Sequence, residues 1–596
     1  MSRWIDFVSP AERRPALHVA AVCAVVFALA MGVRAVSLDD QRFTVETAHA
    51  EIYDQPRHYQ RAARRILHDP YDALIADAYT SGGGSRMLVH PPGYPMVIAG
   101  VFGLVGESES RLRWVQIAVD ALSAVVIVLI GQAVLSLEAG VFAGAIFALS
   151  PQFTANAFVL QPDTIVVLPL LCATLLLATA ARRSPRVACA MAGVLIGGSC
   201  WIRSNAMVLA PFLAVALIPM LVARGRRLAA AISLVCAAVA VVAPITIRNW
   251  VLFDRFVPVS LGAGITMAEG IGDFDPDRRF GLPSTDREIA LAEAEWYGRP
   301  DYATQVWGAD SVERDRARLR RAAGVAASNP GWFAWVMARR SALMLRYNDD
   351  FTYGWPADTC KAPLVEREPA FGHPLEIPAD GEPIARSDEC QLRVPIRPDR
   401  DYLVVVSVSD PNKGGTILVR GERGEPFAEV PLRPRPTHPA DSVERATTRK
   451  PRRSTVVIPV ASRGAVAIEV SSLGGHVEVF DVGDTPGAWT RVPRSLVRFV
   501  QKRLYRTEFL PVVVMAGFAA LALGRRWRAL ALLAAVPAYY LLFQSMLHTE
   551  YRYVLPMHAL LFVSAGVACE VGRRMAMRLW GPRRITLRAE VPFRAP

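Results

Sequence analysis

Between Asp39 and Arg111 the chain gathers side chains able to accept a proton and to hold a charged ligand: Asp39, Asp40, Glu46, Asp54, Tyr59, Arg86 and His90. The last of these opens the run His90-Pro91-Pro92-Gly93-Tyr94-Pro95. A carboxylate in such a group can take the proton of an attacking hydroxyl, while cations stabilise an anionic leaving group. A phosphate, unlike a glycosidic oxygen, leaves without prior protonation, so one catalytic carboxylate suffices where a glycoside hydrolase uses two. Asp54 by itself is an ordinary solvated loop acid. Its case rests on position, immediately ahead of Gln55-Pro56-Arg57-His58-Tyr59-Gln60-Arg61, where an amphipathic helix begins. Asp163 and Asp120 stand out for another reason: each lies within or at the end of an apolar run, where an acid is costly and is a functional candidate by default. Asp163 falls near the outer surface and is placed with the same pocket, whereas Asp120 is open to pairing with a neighbouring helix.

The elements that carry these residues are set by hydrophobicity. The chain has 596 residues, 52% of them hydrophobic, and a net charge of +13. Its apolar residues are gathered into runs near the roughly 20 residues that cross a bilayer. The arginines cluster beside those runs, as expected for cytoplasmic loops and not for a nucleic-acid surface. Ten spans are expected: 16–38, 112–135, 141–158, 164–181, 187–202, 206–222, 228–247, 509–523, 529–546 and 554–571. The segment 91–105 is short and carries three prolines, so it is expected to be re-entrant on the outer side. Counting it as a span would put the Arg182-Arg183 and Arg224-Gly225-Arg226-Arg227 turns outside. Residues 39–111 and 248–508 are therefore expected outside. Surface helices are expected over 57–68, with Tyr59, Ala63, Ile66 and Leu67 on one face, and over 330–347, with Trp332, Phe333, Trp335 and Leu343 dipping into the interface.

From about residue 390 the period changes to alternation, with β-branched runs at 391–396, 402–409, 416–420, 454–460, 465–470 and 476–482. Short strands separated by Gly, Pro and Asp turns predict a β-sandwich with 433–453 as a long loop. The fold class is thus a predominantly α polytopic membrane protein with an inserted extracytoplasmic β-sandwich. Its divisions are an N-terminal transmembrane module over 1–355, the β-rich domain over 356–490, C-terminal spans over 491–572 and a basic cytoplasmic tail over 573–596. Six of the eight cysteines lie in apolar runs as packing residues. Cys360 and Cys390 fall in the polar outer region and are a disulfide candidate.

The stretch Asp54…Tyr59…Ala62, then His90-Pro91-Pro92-Gly93-Tyr94-Pro95 leading to Gly103-Leu104-Val105-Gly106-Glu107-Ser108, resembles the first outer loop of the GT-C superfamily of membrane glycosyltransferases. The similarity is to the branch of protein O-mannosyltransferases and lipid A aminoarabinose transferases. Three later segments resemble the same branch: Ala192 to Gly197 with Arg203-Ser204; Pro244-Ile245-Thr246-Ile247-Arg248-Asn249-Trp250 with Phe256 to Ser260, carrying Ile where Trp is usual; and His548-Thr549-Glu550-Tyr551-Arg552-Tyr553-Val554-Leu555-Pro556. They run in family order and skip the β-rich insert.

The resemblance implies transfer of a sugar from a polyprenyl-phosphate donor to a glycan, lipid or protein acceptor, by direct displacement with inversion. It implies an acid soon after the first helix, for which Asp39-Asp40 and Asp54 compete, the spacing to Tyr59 favouring Asp54. Arg248 and Arg552 become candidates for the carrier phosphate, since guanidinium grips two oxygens and stays charged. An interfacial anchoring role is equally open to Arg248. Arg203, His90, Tyr59, Tyr94, Asp163, Glu550 and Tyr551 complete the candidate pocket. No His or Cys ligand pattern marks a metal, and a carboxylate-held Mg²⁺ or Mn²⁺ stays open. Two rivals share the architecture: a transporter or flippase of lipid-linked saccharides, which would put charges along several helix interiors, and an oligosaccharide ligase or polymerase. The expected location is a bacterial inner membrane, with the site and the β-rich domain on the periplasmic side. Protease added outside sealed cells should cleave within 390–482 and spare the Arg224 to Arg227 turn; the opposite pattern would invert the topology.

Overall fold

The computed structural model describes residues 15–41, 55–76, 86–157, 159–179, 183–347, most of the strands between 385 and 484, and 488–580. Asp54, Cys360, Cys390 and the loop 433–453 lie outside the described residues. Long apolar runs without interior charge become helices because every backbone polar group must be satisfied within the segment in lipid. The N-terminal bundle holds α1 (Ala16–Gln41), α2 (Gln55–His68), α3 (Gly93–Val105), α4 (Glu109–Val134), α5 (Leu137–Leu149), α6 (Pro151–Ala157), α7 (Val167–Thr179), α8 (Pro185–Ile202), α9 (Leu209–Ala216) and α10 (Arg227–Phe253). An outer helical module follows: α11 (Ala263–Gly272), α12 (Asp286–Tyr297), α13 (Ser311–Ser328) and α14 (Pro330–Met344). The C-terminal part comprises α15 (Ala488–Leu504), α16 (Leu510–Leu523), α17 (Trp527–Phe543) and α18 (Leu555–Trp580).

Among the described residues, six helices are long and apolar enough to cross a membrane: Ala16–Leu38, Glu109–Val134, Pro185–Ile202, Arg224–Phe253, Trp527–Met546 and Tyr551–Leu579. Five apolar helices are shorter, including α3, which is the segment expected to be re-entrant. Two expected single spans are interrupted. Over 141–158, α5 stops at Leu149, because Ser150 turns to an extended conformation before Pro151 opens α6. Over 206–222, α9 ends at Ala216, and Pro219 sits in the short turn Ile218–Leu221 that follows.

Small residues let the helices approach closely, as membrane bundles without a hydrophobic driving force require. A Cβ on Gly193 would stand 2.2 Å from the Leu234 carbonyl oxygen, and one on Gly197 2.7 Å from that of Ala238, which packs α8 along α10. Since 193 meets 234 and 197 meets 238, these helices run parallel, and Arg203 and Arg248 emerge at the same end. Gly517 of α16 packs as tightly on Ser564 of α18.

Eight antiparallel strands follow the outer module, β1 (Ala385–Ser387), β2 (Gln391–Pro395), β3 (Arg400–Val408), β4 (Gly415–Gly421), β5 (Pro426–Leu432), β6 (Ser454–Ala461), β7 (Ala465–Ser472) and β8 (Gly475–Asp484). They form two four-stranded sheets, ordered β1-β8-β3-β6 and β2-β7-β4-β5. Val404 pairs with Val479 on one side and Ile458 on the other. Two of the strands, β1 and β5, carry no clear alternation in the sequence.

Helix α14 differs from its expected interfacial role. Trp332 and Phe333 pack against a small core of Ile265, Ala268, Ile271, Leu282, Ile289 and Ala322, and Trp335 remains half exposed. The fully buried Arg340 explains the difference. It donates to the carbonyls of Gly270 and of Ser545, the latter at 2.8 Å, and so ties α14 to the module and to the loop before α18.

Asp120 has its partner in Arg34, whose Nε lies 2.6 Å from Oδ2, with both side chains fully buried. Arg34 also donates to the Ala148 carbonyl at 2.6 Å and lies over the Phe147 ring, so it joins α1, α4 and α5. Removing one member leaves the other charge buried alone, at a cost of about 3–5 kcal/mol. Asp120→Ala should accordingly lower the thermal denaturation midpoint of the detergent-solubilised protein sharply. The double variant Arg34→Met with Asp120→Leu should recover most of it. Equal midpoints for wild type and Asp120→Ala would contradict this account.

Candidate functional site

The early outer loop is held by aromatic packing. Alternate turns of α2 place Tyr59 and Ala63 on one face, and that face buries against Tyr94, Ile98 and Phe102 of α3, with Ile66 beside them. Leu67, expected on the same face, is 38% exposed. The Tyr59 ring meets His90 edge-on at 5.7 Å and Tyr94 at 5.1 Å. The Tyr94 hydroxyl donates to Gln116 Oε1 of α4 at 2.8 Å. Gln116 in turn donates to the carbonyls of Ala157 and Val159, which fixes the chain as it leaves α6. Gly93 has no room for a side chain, because a Cβ would stand 2.4 Å from the Trp201 carbonyl oxygen at the end of α8. These contacts bring the α2–α3 loop onto the end of α8, where Arg203 caps the helix.

There, side chains from three distant segments meet. Asp163, between α6 and α7, is nearly fully buried and lies 3.0 Å from Nη1 of Arg203. The Arg203 guanidinium stacks over the Tyr553 ring, 4.3 Å from its centre. Arg552, one residue earlier, is ion-paired with Glu550 and donates to Gln161 Oε1. Burial raises the Asp163 carboxyl above the ordinary aspartate range; Arg203 and Arg552 pull it back, and Glu550 opposes them. The aromatic loop packs beside this charge cluster through Leu160, Ile165 and Ile202, and burial pushes the Tyr59 phenol up to about 12.

Arg248 stands on the neighbouring α10 at the same end of the bundle. Its Nε donates to the Leu74 carbonyl at 2.7 Å and its Nη1 to Asn249 Oδ1 at 2.8 Å. It therefore holds the tail of the α2 loop. Asn249 donates to the carbonyls of Val257 and Val259, both at 3.0 Å, and fixes the turn that follows.

The outer module clamps the segment carrying Glu550. Nδ1 of His548 lies 2.9 Å from Oδ2 of Asp273, which also meets Arg340 at 3.3 Å. The backbone of His548 donates to the Thr266 carbonyl at 2.6 Å, and Gly270 packs so closely on it that a Cβ would stand 2.6 Å from the His548 nitrogen. Burial lowers the His548 pKa, but Asp273 outweighs it, and the net shift is upward. Burial raises the Glu269 carboxyl well above the glutamate range, with Asp286 hydrogen-bonded beside it and Asp273 and Glu550 adding to the rise.

Residues 89–248 match the family model described as dolichyl-phosphate-mannose-protein mannosyltransferase. The match covers about a quarter of the chain. The matched segment contains His90, Tyr94, Asp163, Arg203 and Arg248. Among solved structures, the chain is similar to the oligosaccharyltransferase of Archaeoglobus fulgidus in its apo form, at 11% identity and a TM-score of 0.41, over 94% of this chain and 52% of that one. For the same enzyme with an inhibitory peptide and a dolichol-phosphate the values are 11%, 0.43, 95% and 52%. For an arabinosyltransferase from Mycobacterium smegmatis they are 13%, 0.22, 80% and 65%. The chain spans about half the length of the Archaeoglobus enzyme. No curated protein sequence matches it.

Of the residues singled out from sequence, the fold brings together Tyr59, Tyr94, His90, Asp163, Arg203, Glu550 and Arg552, with Arg248 on the adjoining helix. Tyr551 points elsewhere: it is buried in the bundle, stacked on His558 at 4.3 Å. Asp39 and Asp40 lie in the last turn of α1, which runs on to Gln41. Among the described residues no three His, Cys, Asp or Glu side chains form a metal-holding group. Gln161, Tyr553, Asp273 and His548 were not among the candidate residues, although the last two aromatics stand in the quoted His548 to Pro556 motif. If the Tyr59 ring is what docks α2 onto α3, Tyr59→Ala should cost about 3–5 kcal/mol and expose 55–76 to limited proteolysis. Tyr59→Phe should keep the wild-type cleavage pattern; equal patterns for the two variants would contradict the docking role.

Proposed function

We propose that this membrane glycosyltransferase moves a sugar from a polyprenyl-phosphate donor to an extracytoplasmic acceptor, with inversion, at the Asp163, Arg203, Arg552 and Glu550 cluster. The observation that carries the reading is the meeting of two ion pairs, Arg203 with the buried Asp163 and Arg552 with Glu550, around the Tyr553 ring at the end of the bundle where the α2–α3 aromatic loop packs. Donors of fixed planar geometry suit a phosphate, and in a partly desolvated site they stabilise its charge as it leaves. The acceptor oxygen attacks the anomeric carbon, its proton passes to a carboxylate, and the carbon–oxygen bond to the carrier phosphate breaks with the electron pair going to phosphate. Asp54 is our assignment for the accepting carboxylate, with Asp39 and Asp40 as its competitors. It immediately precedes α2, five residues before Tyr59, which places that helix against the cluster.

His90 and Tyr553, which are only partly buried, supply the walls a sugar ring stacks on, and the buried Tyr59 and Tyr94 hold the loop behind them. Arg248 secures the loop that carries the carboxylate, and the carrier phosphate is a second role open to it. The paired sheets of 385–484 are proposed to form a sandwich outside the membrane that covers the acceptor side. The enzyme is placed in a bacterial inner membrane with this end outward.

The test is release of carrier phosphate by the purified protein in lipid nanodiscs, supplied with a panel of polyprenyl-phosphate sugars carrying one or several residues. Arg203→Ala and Arg552→Ala should each lower turnover by about a hundredfold. Arg→Lys at either position should not restore it, since lysine lacks the fork. Asp54→Asn should abolish turnover, and a normal rate in that variant would remove Asp54 from the mechanism. Absence of release from every donor would overturn the reading. The acid limb of the turnover profile should lie above the ordinary aspartate range, since Asp163 must be ionised to hold Arg203 and burial favours its neutral form. Asp163→Asn should abolish that limb.

A further inference from the structure

Helix α15 presents three faces with different chemistry. Val492, Leu496 and Phe499, spaced at i, i+4 and i+7, form one stripe and are 73%, 62% and 59% exposed. Gln501 and Leu504 lie on the opposite side against the bundle: Gln501 donates to the Leu149 carbonyl at 3.1 Å and Leu504 packs on the main core. Arg494, Arg498 and Lys502 follow one another along the third face, and Arg503 closes the apolar stripe with its guanidinium over the Phe499 ring. No acidic residue occurs from Ala488 to Thr507.

Three observations identify what covers the apolar stripe. The helix leads through Tyr505, whose hydroxyl donates to the Ile146 carbonyl, directly into the apolar helix α16, so it stands at the edge of the membrane-crossing bundle. Its anchors, Ile146 and Leu149, are at the end of α5 from which the chain proceeds through α6 to Asp163. The helix is therefore on the side of the charge cluster. Apolar exposure flanked by basic residues is the composition of a helix lying in a bilayer surface, its apolar side among acyl chains and its cations among headgroup phosphates.

We propose that α15 is an in-plane membrane anchor that sinks Val492, Leu496 and Phe499 into the leaflet on the Asp163 side and binds anionic phospholipid headgroups there. This assignment is independent of the transfer reaction. By seating the bundle against that leaflet, it fixes the depth of the cluster relative to the headgroups.

The test uses the full chain in nanodiscs, with an environment-sensitive fluorescent amino acid replacing Phe499. Quenching by nitroxide-labelled lipid and protection from aqueous iodide are expected. Quenching by iodide would show the stripe open to water, and protection from both quenchers would show it covered by protein; either result overturns the proposal. Titrating phosphatidylglycerol into phosphatidylcholine discs and following quenching by nitroxide phosphatidylglycerol reads the basic face. Lys502→Gln and Arg503→Gln should each raise the midpoint about fivefold, with iodide protection kept. Unchanged midpoints would overturn the headgroup assignment.

Discussion

Taking Asp163 out of water is tolerable only because Arg203 comes with it, and the surrounding architecture follows from making that meeting possible. The two residues belong to different segments, so α8 has to end where the chain between α6 and α7 passes. The glycines of α8 allow this by letting it lie directly against α10. Gln116 holds the other participant, gripping the carbonyls of Ala157 and Val159 as the chain approaches Asp163. A buried ion pair contributes little net stability, because desolvation offsets most of its attraction. Its place at the end of the bundle, beside Arg552 and against the Tyr553 ring, is what the proposed function rests on.

The second buried pair makes the contrast plain. Arg34 and Asp120 are sealed on all sides, and Arg34 also spends a hydrogen bond on the Ala148 carbonyl. Nothing in that arrangement faces a cleft, and its effect is to fix the outer part of α1, and with it the backbone of Asp39 and Asp40, relative to α4 and α5. One pair is sealed inside the bundle and the other sits at its end with Arg203 partly exposed, although in sequence both begin as an aspartate in an apolar run.

Hydropathy made the helical bundle legible, including the anomalous α3, because a run of apolar residues has few alternatives in a membrane. Where it misjudged, a local break was responsible: the Ser150-Pro151 turn split one expected span and the Ile218-Pro219 turn another. Helix α15 escaped notice because its exposed apolar stripe is interrupted by arginine every third or fourth residue and by Pro493, so it resembles neither a span nor a buried amphipathic helix. The site was visible as residue types but not as partners. Asp163 and Arg203 stood out separately, 40 positions apart, and the packing of α7 along α8, which sets the start of one beside the end of the other, joins them. Tyr551 and Arg552 are neighbours in a 3₁₀ turn, where successive side chains point about 120° apart, and sequence adjacency could not say that one faces the bundle and the other the cluster.

The charge balance of the cluster also assigns its members different tasks. Among the described residues, Asp163 and Glu550 oppose Arg203 and Arg552, so the pocket is close to neutral before any ligand arrives. A phosphate that enters adds negative charge beside a carboxyl already raised by burial, and like charge raises it further. Asp163 is held ionised against that rise by Arg203 and Arg552, so it is committed to the guanidiniums and is a poor base for the same step. In the proposed transfer, the proton of the attacking hydroxyl would go to a carboxylate outside this balanced set. That requirement is why the proposed reaction assigns the proton to an acid at the start of the first loop, Asp54, Asp39 or Asp40.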